Sequence, residues 1–143
     1  MIIRRLQTDD IDAVMHVRVS VRSNAMTEAE LAEVGITRQS LADGLRDGAT
    51  VGWCAELDGV VVGFSLVFAE PREVNALFVT PDAEGRGIGS QLLNAATAWL
   101  QARSDAPIHL CTGADTPAYR FYRRRGWHDT GRDEKFGRVL TLE

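Results

Sequence analysis

Three glycines at alternate positions, 85, 87 and 89, are the feature that most constrains how this chain folds. They follow a strand-like stretch, Glu73–Val79, that Pro81 ends, and they precede residues 88–103, whose apolar residues recur at helical spacing. The sequence therefore predicts a strand, a glycine-rich turn and a helix in direct succession. Because the first N–H groups of a helix have no acceptor inside it, a flexible turn here can converge them on a phosphate.

Several kinds of phosphate-binding loop compete to explain this turn. A Walker loop requires Lys before Ser or Thr, and the turn contains no Lys. A dinucleotide fingerprint requires Gly where this chain has Ser90, and a parallel sheet where the preceding strands predict a meander. The pyrophosphate loop of acyl-coenzyme A transferases fits residues 85–89 best, with Arg86 adding a positive charge. A glycine-rich turn without a ligand is the remaining, less favoured interpretation.

The rest of the chain alternates between helical and strand patterns. Thr8, Thr27 and Thr37 are expected to cap helices, and Asp58-Gly59 is typical of a tight hairpin turn. The predicted order is βααα-βββ-α-β-α-ββ. It belongs to the α/β (α+β) class and predicts a mixed, mostly antiparallel central sheet flanked by helices. A length of 143 residues suits one domain over residues 1–143.

Composition narrows the functional classes. A net charge of −4 argues against a general nucleic-acid binder, which usually carries a basic surface. No apolar run approaches the roughly 18 residues of a membrane span. Cys54 and Cys111 lie in apolar runs and are expected to be free thiols, which favours a reducing, cytoplasmic location. The three histidines have no metal-ligand spacing, so no metal site is expected.

The segment Glu84-Gly85-Arg86-Gly87-Ile88-Gly89 resembles the cofactor loop of the GNAT superfamily of N-acetyltransferases, Gln/Arg-x-x-Gly-x-Gly/Ala. Ser90-Gln-Leu-Leu resembles the helix start that follows it in that family. The resemblance implies that residues 84–90 bind the pyrophosphate of acetyl-CoA. Glu84 departs from the family's Gln or Arg. Since an acid beside a pyrophosphate is unfavourable, Glu84 is expected to point away and leave binding to the backbone amides and Arg86.

A second segment carries the same resemblance. Residues 115–127, Asp-Thr-Pro-Ala-Tyr-Arg-Phe-Tyr-Arg-Arg-Arg-Gly-Trp, are similar to the family's Asn-x-x-Ala-x-x-Phe-Tyr-x-x-x-Gly-Phe. Asp115 stands where Asn usually contacts the cofactor. The resemblance makes Tyr122 the candidate general acid, because a phenol stays protonated at neutral pH and can protonate a departing thiolate. The alternative for Tyr122 is that it packs the helix, as expected for Phe121.

The family places its cofactor where two strands of the sheet splay apart. By resemblance the strand with the open backbone is 75–79, and its cofactor-binding residues are Leu77, Phe78 and Val79. The amide of Leu77 would polarise the acetyl carbonyl and Val79 would pair with the pantetheine. The implied function is acetyl-CoA-dependent transfer to a primary amine of a small molecule or peptide. The alternative is a non-catalytic acyl-CoA-binding or regulatory module.

The general base and the acceptor are less constrained. Glu73 is the first choice for the base, and Glu70 or an ordered water are alternatives; either glutamate could also be a solvated charge.

By resemblance residues 18–35 wall the acceptor site, where their acids suit a cationic amine and Arg18 and Arg22 suit a carboxylate. Arg18 either points into that site or snorkels. The chain has a basic run at Arg120, Arg123, Arg124 and Arg125. The first three share a helix face, which is either solvated or close to the cofactor's adenosine phosphate. A homodimer is left open.

Overall fold

The computed structural model describes all residues, Met1–Glu143. The strands are β1 Ile2–Arg5, β2 Thr50–Leu57, β3 Val60–Phe68, β4 Glu73–Val79, β5 Ile108–Thr112, β6 His128–Glu134 and β7 Gly137–Leu142. The helices are α1 Ile11–Ser20, α2 Glu28–Glu33, α3 Arg38–Asp47, α4 Ile88–Arg103 and α5 Pro117–Arg124, with short 3-10 turns at Thr8–Asp10 and Pro81–Ala83. This order confirms the predicted βααα-βββ-α-β-α-ββ arrangement.

All seven strands form one sheet in the order β1-β2-β3-β4-β5-β7-β6. Every neighbouring pair is antiparallel except β4 and β5, which are parallel. The Asp58-Gly59 turn joins β2 to β3 with φ angles of +51° and +79°, the left-handed conformation that a tight hairpin requires. The mixed, mostly antiparallel sheet is therefore confirmed.

Apolar side chains bury both faces of the sheet. On one face α4 and α5 cover the larger core, in which Leu92, Leu100 and Trp127 are almost fully buried. On the other face α1 and α3 cover a smaller core centred on Val17 and Phe64. Each large apolar side chain buried in this way stabilises the fold by about 1.5–3 kcal/mol. The sheet thus carries separate helical layers on its two faces.

The start of the first helix differs from the prediction. Thr8 does not cap it; residues Thr8–Asp10 form a 3-10 turn and α1 begins at Ile11. The reason is Asp10, whose carboxylate accepts a hydrogen bond from the Gln7 N–H at 2.8 Å and pairs with Arg4 at 2.8 Å. The other two caps are confirmed, because the Thr27 and Thr37 hydroxyls accept hydrogen bonds from the Glu30 and Ser40 amides.

Arg72 fixes the β3–β4 turn to the end of α4. Its φ of +71° turns the chain, and its side chain is only 9% exposed. The guanidinium donates hydrogen bonds of 2.8–3.2 Å to the carbonyls of Leu100, Ser104 and Ala106, where the helix dipole favours a cation. None of the helices is both long and apolar enough to span a bilayer.

Candidate active site

The sheet opens between β4 and β5. These strands pair at a single position, Glu73 with His109, whereas β3 and β4 pair at six positions and β5 and β7 at five. Beyond Glu73, the edge of β4 that faces β5 has no strand partner. Unpaired backbone in the middle of a sheet is uncommon, because buried N–H and C=O groups are nearly always hydrogen-bonded. The gap is therefore a place where a ligand can supply the missing partners.

The hydrogen bonds of β4 show which amides face the gap. The amide of Thr80, just after β4, donates to the Val62 carbonyl on the β3 side at 2.8 Å. Since backbone N–H groups alternate between the two edges of a strand, the amides of Ala76 and Phe78 also point to β3. Those of Leu77 and Val79 point to the gap. Both residues are only half-buried although β4 is central in the sheet.

A β-bulge at Asn75 bends β4 beside the gap. Leu66 pairs with Ala76 and Val67 pairs with Val74, so Asn75 is the extra residue, and its side chain is exposed. Bulges increase local twist and redirect neighbouring side chains, and they are frequent next to active sites. Sequence alone did not reveal this bulge, because it depends on the register of β3.

The glycine-rich turn leaves the start of α4 without a protein cap. Gly85 and Gly87 adopt left-handed φ angles of +78° and +79°, and Gly87 is the N-cap residue with no side-chain hydrogen bond. The first bond of the helix runs from the Gln91 amide to the Gly87 carbonyl at 3.2 Å. The amides of Ile88, Gly89 and Ser90 precede it and are free to bind an anion. Glu84 is exposed.

Arg125, the last arginine of the basic run 120–125, contacts the start of α4. Arg125 reaches the hydroxyl of Ser90 and lies 3.7 Å above the Phe121 ring. Arg86 instead lines a cavity of about 290 Å³ beside the β2–β3 hairpin. Arg125 follows Phe121 by four residues, so its stacking on the same helical face is a signal that the sequence contained. Arg123 donates to the Trp127 carbonyl at 3.1 Å, a structural contact.

Tyr122 combines a packed ring with a free hydroxyl. It is 8% exposed, and its ring centroid lies 5.4 Å from that of Phe121 and 5.9 Å from that of Trp127. Burial raises the pKa of Tyr122 further above its usual value, with no hydrogen bond contributing. Only one fully buried side-chain N or O atom lacks a hydrogen-bond partner, and that atom is Nδ1 of His109. The Tyr122 hydroxyl, which also has no partner, is therefore accessible from solvent. It can therefore donate a hydrogen bond to a ligand. Asp115 is exposed in the turn before α5.

Four titratable residues gather near the paired end of the gap. Glu73 and His109 are the paired residues of β4 and β5, Cys111 follows on β5, and Glu134 comes from β6. Burial raises the pKa of Glu73, and the charge of Glu134 raises it further. Burial and the two glutamates also raise the pKa of the Cys111 thiol. Glu134 was missed in the sequence, because only the β5–β7–β6 pairing brings it here. Glu70 is exposed.

Arg18 packs on the face of β4 that lies opposite the larger core. It is 8% exposed, its guanidinium lies 4.3 Å from the Phe78 ring centroid, and it donates to the Asn24 carbonyl at 3.1 Å. Burial lowers the pKa of Arg18. Glu28 instead pairs with Arg38 at 2.9 Å. That pair borders a cavity of about 680 Å³ between α1 and α2, which no residue of β4 or of the glycine turn lines.

Comparison with known proteins identifies the family of this chain. The acetyltransferase (GNAT) family model matches residues 19–127. The chain belongs to the GNAT acetyltransferase family. Within this family it is 34% identical over 127 residues to the mycothiol acetyltransferase of Clavibacter sepedonicus, covering 83% of this chain and 42% of that protein. It is also 34% identical over 76 residues to the peptidyl-lysine N-acetyltransferase YiaC of Escherichia coli K12, covering 53% of this chain and 49% of that protein.

Solved structures of GNAT proteins share the fold of the whole chain. The PaiA N-acetyltransferase of Thermoplasma acidophilum, in complex with coenzyme A, has a TM-score of 0.84 at 14% identity and covers 100% of this chain and 99% of its own. YncA of Salmonella typhimurium, with its cofactor acetyl-CoA, has a TM-score of 0.77 at 17% identity, covering 100% and 93%. The chain spans 42% of the length of the Clavibacter relative. The predicted family and fold are confirmed. The structure contains no cluster of three or more His, Cys, Asp or Glu side chains placed to hold a metal ion.

Proposed function

We propose that this chain is an acetyl-CoA-dependent N-acetyltransferase that acts by direct transfer on a primary amine of a small molecule or peptide. The observation that carries the proposal is the open edge of β4, where the amides of Leu77 and Val79 have no strand partner. Support also comes from the relatives, whose names include acetyltransferases of mycothiol and of peptidyl-lysine, and from neighbours solved with coenzyme A or acetyl-CoA.

The residues that would hold acetyl-CoA are mostly backbone groups. Acetyl-CoA supplies the activated thioester. The Leu77 amide would hydrogen-bond the acetyl carbonyl and the Val79 amide the pantetheine. Phe78, also expected from the sequence to bind the cofactor, turns its amide to β3 and is not assigned a backbone contact. Residues 85–90 would bind the pyrophosphate through the free amides at the start of α4. Arg125 lies at the same helix end and can supply the positive charge there, with Arg86 on the other side of the turn. Asp115 is a proposed contact at the start of α5, and exposed Glu84 can turn to solvent.

Side chains on β4 and α5 would handle the protons. The transfer forms a bond from the acceptor nitrogen to the acetyl carbon and breaks the carbon–sulfur bond. The nitrogen must lose a proton and the sulfur must gain one. We assign the first step to Glu73, directly or through a water, because its raised pKa makes it a stronger base than an ordinary glutamate. We assign the second to Tyr122, whose hydroxyl stays protonated and has no partner in the protein.

A non-catalytic acyl-CoA-binding module is the second candidate. It is favoured by Glu84 and Asp115, the two positions that depart from the family's motifs. The free hydroxyl of Tyr122 favours the enzyme, because a purely structural tyrosine in a core normally finds a hydrogen-bond partner.

The remaining proposals concern the protein as a whole. We propose that residues 1–143 form one domain and that the protein works in the cytoplasm, where the free thiols Cys54 and Cys111 stay reduced. Neither a nucleic acid nor a membrane is proposed as a partner. A homodimer is the alternative to a monomer, and sedimentation of the purified chain decides between them.

A thiol-release assay with a panel of amines tests the proposed function. The enzyme predicts amine-dependent release of coenzyme A and an acetylated product visible by mass spectrometry. Calorimetry with acetyl-CoA is run in parallel. Binding without release for any amine would establish the non-catalytic module, and absence of binding would refute both candidates.

A further inference from the structure

The chain buries two arginines, and they differ in how their charges are satisfied. Arg72, 9% exposed, donates to three different carbonyls at the end of α4. Arg18, 8% exposed, donates to one carbonyl, that of Asn24, and no carboxylate pairs with it. A buried charge without a counterion is costly, so it persists mainly where a ligand supplies the partner. None of the remaining Arg18 nitrogens is both fully buried and without a hydrogen-bond partner, so they are accessible from solvent.

The position of Arg18 connects it to the open strand. Its guanidinium stacks 4.3 Å from the ring centroid of Phe78. Phe78 packs against the smaller core, on the face covered by α1, whereas Leu77 and Val79 pack against the larger core under α4 and α5. A guanidinium stacked on an aromatic ring keeps its N–H edge free to bind an anion. Arg18 therefore places free N–H donors beside Phe78, which is adjacent to Leu77 in β4.

The charges around this face define what it can bind. Glu73 lies at the start of β4, and Glu134 is close enough for its charge to act on Glu73. These two glutamates would attract a cationic amine. A planar guanidinium with a free edge matches the two oxygens of a carboxylate. A group with more than one negative charge would be repelled by the two glutamates, so a carboxylate suits the site better than a phosphate.

We propose that Arg18 binds a carboxylate of the acceptor, and that the acceptor is a zwitterion of the amino-acid class with its carboxylate within a few bonds of the reacting nitrogen. The short separation follows from Phe78 being adjacent to Leu77, whose amide we place at the acetyl carbonyl. The inference rests on the proposed function, and it adds the substrate class that the function leaves open.

A structural role for Arg18 makes different predictions. Arg18 would then only hold the loop between α1 and α2 through Asn24, for which a single N–H group suffices. Loss of that contact would affect all acceptors equally. A carboxylate-binding role affects only acceptors that carry the carboxylate, so matched pairs of acceptors separate the two.

The first experiment compares free amino acids with their carboxamides on the wild-type protein. Values of kcat/KM are corrected for the neutral fraction of each amine. We expect the free acids to be preferred by at least about 10-fold, the range of a charge-assisted hydrogen-bond pair. Equal values for acid and carboxamide would overturn the inference, and this comparison needs no variant.

The second experiment replaces Arg18. Arg18→Gln is expected to remove the preference for free acids while leaving carboxamides and acetyl-CoA affinity within about 2-fold, and Arg18→Lys to restore part of it. Arg103→Gln is the control, because Arg103 also stacks on an aromatic ring, Trp99 at 4.6 Å, but is exposed at the end of α4. An equal loss for acids and carboxamides in Arg18→Gln would assign Arg18 a structural role and contradict the proposal.

Binding measurements separate this inference from the proposed function. Calorimetry of the same acids and carboxamides is performed with coenzyme A present, on wild type and Arg18→Gln. If free acids bind selectively through Arg18 but no acetyl transfer occurs, the enzyme proposal fails and the carboxylate site stands. If amines are acetylated without selective binding of acids, the function stands and the inference fails.

Discussion

At the scale of single residues, burial acts on the two proposed proton carriers in the same direction but with opposite consequences. It raises the pKa of Tyr122, which keeps the phenol protonated throughout the neutral range. It also raises the pKa of Glu73, which makes the carboxylate hold a proton at a pH where an ordinary glutamate has lost it. The same desolvation thus keeps Tyr122 protonated, although as a weaker acid, and makes the Glu73 carboxylate a stronger base.

Tyr122→Phe removes the hydroxyl and keeps the ring that packs on Trp127. We expect turnover to fall on the order of 10²–10⁴-fold, the range for one proton transfer, with acetyl-CoA affinity unchanged. Steady-state kinetics and calorimetry measure the two effects. Kinetics that match the wild type would leave Tyr122 as a packing residue.

Glu73→Gln tests the base through the pH dependence of kcat/KM. Glu73 acts only when deprotonated. Because burial raises its pKa, activity of the wild type is expected to decline at a higher pH than an ordinary glutamate would give. The variant is expected to lose most activity at low pH, where few amines are already neutral. Glu70→Gln, at an exposed position, is the control. Overlapping pH profiles of Glu73→Gln and wild type would place the base elsewhere.

At the scale of elements, the glycine turn tests whether the start of α4 binds the cofactor. Gly87→Val forces a branched residue into a left-handed conformation, φ +79°, at a site where an added Cβ meets no protein atom within 4 Å. Gly48→Val is a matched control, with φ +81° and equally open surroundings at the end of α3. Each change costs about 1–2 kcal/mol of stability. Only Gly87→Val is expected to abolish acetyl-CoA binding in calorimetry; equal affinities would exclude the turn.

Arg125 provides a second test at the same element. Because its guanidinium reaches Ser90 at the start of α4, Arg125→Gln is expected to weaken acetyl-CoA binding by roughly 10-fold and to reduce its dependence on salt. Arg46→Gln, at an exposed position in the last turn of α3, is the control. Equal affinities for the two variants would show that Arg125 does not contact the phosphates.

The elements also show what the sequence could and could not predict. Local signals located the Asp58-Gly59 turn, the Thr27 cap and the β4 strand, because each depends on a few adjacent residues. Thr8 failed as a cap because Asp10 is held by Arg4, a contact that requires β1 in place. Glu134 near Glu73 and the bulge at Asn75 depend on strand register. Such contacts between distant segments leave no local pattern in a single sequence.

At the scale of the whole molecule, the sheet consists of two parts. Strands β1–β4 form one set of paired strands and β5–β7 form the other. A single paired position, Glu73 with His109, joins the two sets. The helices α4 and α5 pack across this junction on one face. A ligand that pairs with the open edge of β4 would therefore bridge the two parts of the sheet, and its binding should stabilise the whole fold by mass action.

Amide hydrogen exchange tests this arrangement within a single strand. In the free protein the amides of Leu77 and Val79 face the gap, whereas those of Ala76 and Phe78 face β3. We expect Leu77 and Val79 to exchange much faster than their two neighbours, since an amide without an acceptor needs no opening of the sheet. Addition of acetyl-CoA should slow Leu77 and Val79 far more than Ala76 and Phe78, which gain only the general stabilisation by the ligand. NMR-detected exchange resolves the four amides individually. A uniform slowing along β4 would indicate general stabilisation without pairing in the gap. Unchanged exchange at Leu77 and Val79 with bound acetyl-CoA would place the thioester away from β4.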